Sequence, residues 1–206
     1  MSLHTTTFPI IVEESKGFQC ISMMPSKYNS HIRPVVKYLR RFLISSTIET
    51  KYSWKEMLDG LDKEGAPDMD LIKHQTGTIS NESKEVRLFT PKITDYMEKV
   101  LGASVTPQSK ESWNTQLTTI FNNLPMTTSS SFWNITTSAN GTKTGCDYSL
   151  MSVLPCENGS ENFKVLLTTL IIKGEVNETG GWFSSSKSQS YSVAISAATF
   201  LVFKEE

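Results

Sequence analysis

The stretch Phe163–Ile172 (FKVLLTTLII) constrains this 206-residue chain more than any other. Successive residues of a strand point to opposite faces, and here both faces are apolar. A sheet with one wet side reads as hydrophobic–polar alternation, whereas a strand greasy on both sides needs a cover on each. The chain therefore has to supply a sheet and two layers to bury it. No run of 18 or more apolar residues occurs, so no helix of the sequence is expected to span a bilayer. A chain of this length buries about 70% of its unfolded surface, enough for a full core. The net charge of −1 excludes a nucleic-acid binder driven by bulk charge.

Candidate covers lie in the first half. Over 31–46, Ile32, Val35, Val36, Leu39, Phe42 and Leu43 recur at helical spacing, while Arg33, Lys37, Arg40 and Arg41 fall on the opposite face. Ser53-Trp-Lys-Glu56 reads as a capping box opening a second helix, with Trp54, Met57, Leu58 and Leu61 as its stripe and Gly60 and Gly65 at its end. Residues 59–70 read as an acidic loop. Val86 and Leu88 alternate with Arg87 and Phe89, which predicts a short strand over 84–90. Thr90-Pro91 then reads as N-cap and first turn of a third helix, with Ile93, Tyr96, Met97, Val100 and Leu101 as stripe and Gly102 as stop. Thr106-Pro107 repeats that opening for a fourth, with Trp113, Leu117, Ile120, Phe121 and Leu124 inward and Pro125 as its end.

Strands are expected at 8–13 and 18–24, and after Pro125 at 130–138, 144–154, 162–176 and 190–203. Asn140-Gly141 and Asn158-Gly159 are hairpin signals. The loop 177–189 is Gly/Ser-rich and holds Trp182 and Phe183. Two amphipathic helix pairs and one doubly buried sheet make a single-domain, three-layer α/β/α sandwich over residues 1–206, with no linker or repeat to divide it.

Chemistry is thinly represented. There are three histidines (His4, His31, His74) and three cysteines (Cys20, Cys146, Cys156), with no C-x-x-C, H-E-x-x-H, P-loop, G-x-S-x-G or G-x-G-x-x-G. No catalytic residue, metal site or cofactor is expected. If 146–156 is one strand, its ends lie about 33 Å apart and cannot share a disulfide. About half of the sequons at Asn81, Asn134, Asn140, Asn158 and Asn177 are expected by chance in a chain so rich in Ser and Thr. MSLHTTTFPIIVEE does not read as a signal peptide.

Two features point to membranes. The basic helix face suits lipid headgroups or sulfated glycans. The C-terminal strands reach the 9–11 residues that cross a bilayer at a tilt. Ser192-Val193-Ala194-Ile195-Ser196 alternates as a strand with one wet and one greasy face would.

Helix 90–102 ending in MEKVLG, helix 107–124 ending in TTIFNNLP and then SSSFWNITTSANGTKTGCDYSLMSVLP resemble the Cyt-type cytolysins, the family of the bacillar Cyt delta-endotoxins and the mushroom cytolysin volvatoxin. FPIIVEE and NSHIRPVVKYLRRFLISST fit the same order, and the resemblance extends over about residues 8–203. It implies two helical hairpins around a mixed, mostly antiparallel sheet. It implies a non-enzymatic toxin that meets a target-cell membrane as a soluble monomer or dimer, oligomerises on lipid and opens pores. Phe163, Val165, Leu167, Ile171, Val193, Ile195, Phe200 and Val202 are then expected on the inserting strands, and Trp182 and Phe183 at the interface. Arg33, Lys37, Arg40 and Arg41 would make the first anionic contact. Ile32, Val36, Leu39, Leu43, Tyr96, Val100, Leu117 and Phe121 would form oligomer contacts once uncovered. The protein would act extracellularly after release. The alternative is a non-lytic lipid- or ligand-binding virulence or defence protein on this fold, with a pocket between helices and sheet.

Overall fold

The computed structural model describes residues 11–15, 18–45, 50–61, 63, 65–81, 86–102, 107–123, 132–137, 143–156, 161–173 and 191–203. Strands β1 (Ile11–Ser15) and β2 (Phe18–Ser22) lead to helix α1 (Asn29–Leu39), entered through a 3-10 turn at Ser26–Tyr28 and left through another at Arg40–Phe42. A small ribbon, β3 (Leu43–Ser45) with β4 (Thr50–Tyr52), precedes α2 (Trp54–Leu58). Strand β5 (Met69–Asn81) is followed by α3 (Val86–Leu101) and α4 (Pro107–Asn123). Strands β6 (Trp133–Thr137), β7 (Lys143–Pro155), β8 (Phe163–Lys173) and β9 (Tyr191–Val202) complete the order.

The main sheet runs β1-β2-β7-β8-β9-β5, and β6 shares with β2 the edge of β7 that β8 does not use. Only the β2–β7 pair is parallel among these. The sheet is thus mixed and mostly antiparallel, as expected. β8 sits at its centre, paired throughout: Val165 opposes Val153 on one side and Phe200 on the other.

Strand alternation sorts the core into two. Even-numbered Leu166, Leu170 and Ile172 join Cys146, Tyr148, Leu150, Val193 and Ile195 under α3 and α4, which contribute Ile93, Met97, Val100, Trp113, Leu117 and Phe121. Odd-numbered Phe163, Val165 and Leu167 join Met151, Val153, Phe200 and Val202 under α1 and α2, which contribute Ile32, Val35, Tyr38, Leu39 and Met57. The three layers follow directly from a central strand that is apolar on both sides.

Several expectations are corrected. Of the strand read at 84–90, the described residues 86–90 open helix α3, and Pro91 lies inside that helix. Tertiary contact overrides the local signal: Thr90 does not cap but is buried, its hydroxyl 2.9 Å from that of Thr118 on α4. The helix read over 31–46 begins at Asn29 and ends at Leu39, and Leu43 lies in β3 rather than on a helix. That cover is therefore a helix, a ribbon and a five-residue helix rather than a plain hairpin. Ser53 occupies the N-cap of α2 without a side-chain capping bond. The supposed acidic loop gives way at Met69 to β5, a 13-residue edge strand that the sequence reading passed over. Gly102 does close α3, with φ +69°, the left-handed conformation that favours glycine. Asn140-Gly141, Asn158-Gly159, Leu124, Pro125, Trp182, Phe183 and the 177–189 loop lie outside the described residues.

Candidate functional site

The strands singled out from sequence converge on the middle of the sheet, but they serve different faces. Phe163, Val165, Leu167, Phe200 and Val202 are buried beneath α1 and α2. Val193 and Ile195 are buried beneath α3 and α4. Ile171 belongs to the first face by alternation, yet it is 39% exposed. The reason is the reach of the cover. Trp54 of α2 donates from Nε1 to Thr169 Oγ1 at 3.0 Å, and its ring stacks on His74 of β5 at 4.8 Å. Thr76, at the edge of that row, and Ile171, Lys173, Ala194 and Thr78 beyond it are exposed. On the opposite face of the same rows, Cys146, Ile172, Val193 and Ile195 are sealed.

This half of the sheet is consequently amphipathic. Toward the α1–α2 side it presents Ser149, Thr169, Ser196 and Thr76 in register across four strands, followed by the row Asp147, Ile171, Ala194 and Thr78. Toward the α3–α4 side it presents Tyr148, Leu170, Ile195 and Gly77, with Tyr96 of α3 lying over the glycine. A Cβ at Gly77 would come within 2.9 Å of the Tyr96 ring, so the absence of a side chain lets α3 approach the edge strand. The Ser192–Ser196 alternation read from sequence corresponds to this division: Val193 and Ile195 are buried, Ser192 and Ser196 half-buried, Ala194 exposed.

The helical covers also differ in how they are tied. Within the α3–α4 hairpin, Thr94 Oγ1 donates to Asn114 Oδ1 at 2.8 Å, and Lys110 Nζ meets Asp95 at 2.6 Å and Glu98 at 2.8 Å. Those two carboxylates raise the Lys110 pKa to about 12. The hairpin is joined to the sheet at the C-terminal end of α3. There Thr199 Oγ1 donates to Val100 O at 3.1 Å, and Lys73 Nζ donates to Lys99 O at 2.8 Å, a favourable place for a cation. Under α4 the pattern reverses. Trp113 Nε1 and Gln116 Oε1 of α4, and Tyr148 Oη, whose ring meets Phe121, are buried without a hydrogen-bond partner, as are Tyr96 Oη of α3, Ser152 Oγ and Thr168 Oγ1 on the sheet, and His74 Nε2 on the opposite side. Burial pushes the Tyr148 phenol and the Cys146 thiol well above their ordinary values.

Arg33 and Lys37 of α1 and Arg40 and Arg41 of the following turn are all exposed. Arg41 lies over the Tyr38 ring at 5.6 Å. Between Ser26 and Ile48 the chain carries no acidic residue. Of the stripe residues expected at oligomer contacts, Ile32, Leu39, Val100, Leu117 and Phe121 are buried, while Val36, Leu43 and Tyr96 are partly buried. Residues missed by sequence reasoning are His74 and Gly77 of β5 and the polar row Ser149–Thr169–Ser196–Thr76; β5 carries too weak an alternation to be read alone.

Among the described residues no group of three or more His, Cys, Asp or Glu side chains is arranged to hold a metal, and no helix is long and apolar enough to cross a membrane. Cys20 and Cys146 are buried and Cys156 is partly exposed, none in a disulfide.

The family model described as Bacillus thuringiensis toxin matches residues 44–203. No curated protein matches the chain in sequence. Among solved structures, a delta-endotoxin shares 13% identity and a TM-score of 0.75, covering 95% of this chain and 87% of its own. The activated Cyt2Ba monomer of Bacillus thuringiensis subsp. israelensis shares 15% identity and a TM-score of 0.73, covering 92% of this chain and 100% of its own. At such identity these likenesses show the fold.

Proposed function

Because the chain belongs to the Bacillus thuringiensis toxin family and is a toxin of the Cyt type, we propose that it binds lipid bilayers directly, oligomerises there and makes them permeable without catalysis. The observation that carries this reading is the sheathed core. Strands β7, β8 and β9 are 13, 11 and 12 residues long, against the roughly 9–11 needed to cross a bilayer at a tilt. β9 contains no charged residue, and neither does β8 between Val165 and Ile172. Backbone groups in lipid require closure into a barrel, which is the physical reason for assembly.

In this reading the exposed basic residues Arg33, Lys37, Arg40 and Arg41 make the first contact with anionic headgroups. Each contributes about 1 kcal/mol near a charged surface. Displacement of a helical layer uncovers its apolar stripe for contacts between copies. Trp182 and Phe183 anchor the β8–β9 loop at the interface, where aromatics settle. Opening is unfavourable in water, and lipid selects it by binding the open state more tightly. The protein acts outside the producing cell, on the membrane of its target.

Dye release from phosphatidylcholine vesicles with and without phosphatidylglycerol tests the proposal. Release should rise steeply with protein concentration, as assembly requires. Lys37→Glu with Arg41→Glu should weaken binding to the anionic vesicles at least tenfold at low salt, with the melting temperature unchanged. Binding without release would replace pore formation by a non-lytic lipid-binding role, and equal binding by the reversed variant would remove the basic face from the mechanism.

A further inference from the structure

The two faces of the sheet are not equivalent, and their asymmetry extends the function proposed above, on which this inference rests. We infer that the sheet face beneath α3–α4, rather than the face beneath α1–α2, is the surface given over to lipid, and that it is released by the α3–α4 hairpin pivoting on the C-terminal end of α3.

Three observations converge. First, from Trp54 outward the face beneath α3–α4 is apolar, whereas the other presents the polar row Ser149, Thr169, Ser196 and Thr76, and beyond it Asp147 and Thr78 flanking the exposed Ile171 and Ala194. A strand with one face in hydrocarbon and one in water has this division. Second, the hairpin is braced internally by Thr94–Asn114 and by Lys110 with Asp95 and Glu98, so its helices move as one body. Third, among the described residues its hydrogen bonds to the sheet lie at one end, Thr199 to Val100 O and Lys73 to Lys99 O, while Trp113 Nε1 and Gln116 Oε1 of α4, and Tyr148 Oη beside Phe121, are buried without a partner. A buried polar atom without a partner destabilises the closed arrangement and gains hydration when it opens. The seam under α4 is where the closed state is weakest, and the end of α3 is where it is held.

Opening there uncovers Tyr148 and the β7–β8 pair first. It leaves the α1–α2 cover, with its basic outer side, in place over the opposite face.

The native thiols report on the two faces separately: Cys146 lies beneath the α3–α4 hairpin and Cys20 beneath α1–α2. Wild-type protein in water, with the labelled cysteine identified by mass spectrometry, should alkylate at Cys146 at least tenfold faster than at Cys20 under native conditions. Equal rates, or faster labelling of Cys20, would overturn the hinge whether or not the protein permeabilises vesicles. On phosphatidylglycerol-containing vesicles, a Ser196→Cys variant with unchanged melting temperature should react with a charged, water-soluble thiol reagent at least tenfold faster than Cys146 does. The reverse order would overturn the assignment of faces. Absence of binding and dye release by the wild type would defeat the membrane function, and with it the lipid assignment, while the labelling in water still decides the hinge.

Discussion

The covers on the two faces of the sheet bury comparable apolar stripes but are built differently. The α1–α2 cover is irregular, mixing helix, 3-10 turn and ribbon, and three of its aromatic side chains donate hydrogen bonds. Tyr38 donates to Gly60 O, Tyr52 to Leu39 O at 3.1 Å and Trp54 to Thr169. Its outer side carries the exposed cations Arg33, Lys37, Arg40 and Arg41. The α3–α4 cover is a regular hairpin with acidic and basic residues paired on its surface, resting on buried polar atoms that lack partners. Both layers are braced within themselves and tied to the sheet, one through Trp54 and the other at the C-terminal end of α3. Apolar burial alone would not distinguish them, and the difference lies in where the polar groups find partners.

The largest effect that probes this comparison is truncation beneath the bonded cover. Phe163→Ala should cost about 3–5 kcal/mol of stability, read from urea unfolding; a loss below 1 kcal/mol would mean that the α1–α2 core is looser than its packing indicates. Next comes the edge. Gly77→Val drives a side chain into the Tyr96 ring and should cost about 1–3 kcal/mol. Combining it with Tyr96→Ala should recover part of that loss, and strict additivity would show that the two do not meet. A smaller and sharper contrast comes from the tryptophans. Trp54→Phe removes a hydrogen bond and should cost about 1 kcal/mol, whereas Trp113→Phe removes a buried N–H without a partner and should cost less or stabilise. Equal costs would erase the distinction between the covers.

The smallest expected effect is with pH. Burial against Trp54 lowers the His74 pKa, and its Nε2 has no partner. The folded state therefore holds the proton less tightly than the unfolded chain, whose value is about 6.5. The contribution of His74 is present above pH 6.5 and is lost as pH falls through the folded-state pKa. The melting temperature should decline on acidification in that range, and His74→Phe should flatten the decline. An unchanged slope would remove His74 from the account.

What was legible in the sequence follows from the strength of each signal. The double-sided strand at 163–172 and the stripes of α1, α3 and α4 were readable because burial imposes a period on many residues at once. The exposed positions of Arg33 and Lys37 followed from the same period. β5 escaped because an edge strand packed on one side needs little apolar alternation: Thr76 and Thr78 face outward, and Gly77 contributes no side chain. The first turn of α3 was misread because four alternating residues before Thr-Pro are locally strand-like, while the contact that decides the matter, Thr90 with Thr118, spans two helices. The division of the site between two faces was only partly visible, since alternation in β9 shows that faces differ without showing what lies on each.

The register of β8 has a further consequence. Its odd residues are read by one helical layer and its even residues by the other, so a single segment carries two interleaved texts. Substitutions at Val165 and Leu166, adjacent in the chain, touch different cores and should combine additively, while those at Val165 and Leu167 should not. Removing one residue from the middle of the strand acts as a frameshift in space: every side chain beyond it is delivered to the wrong layer.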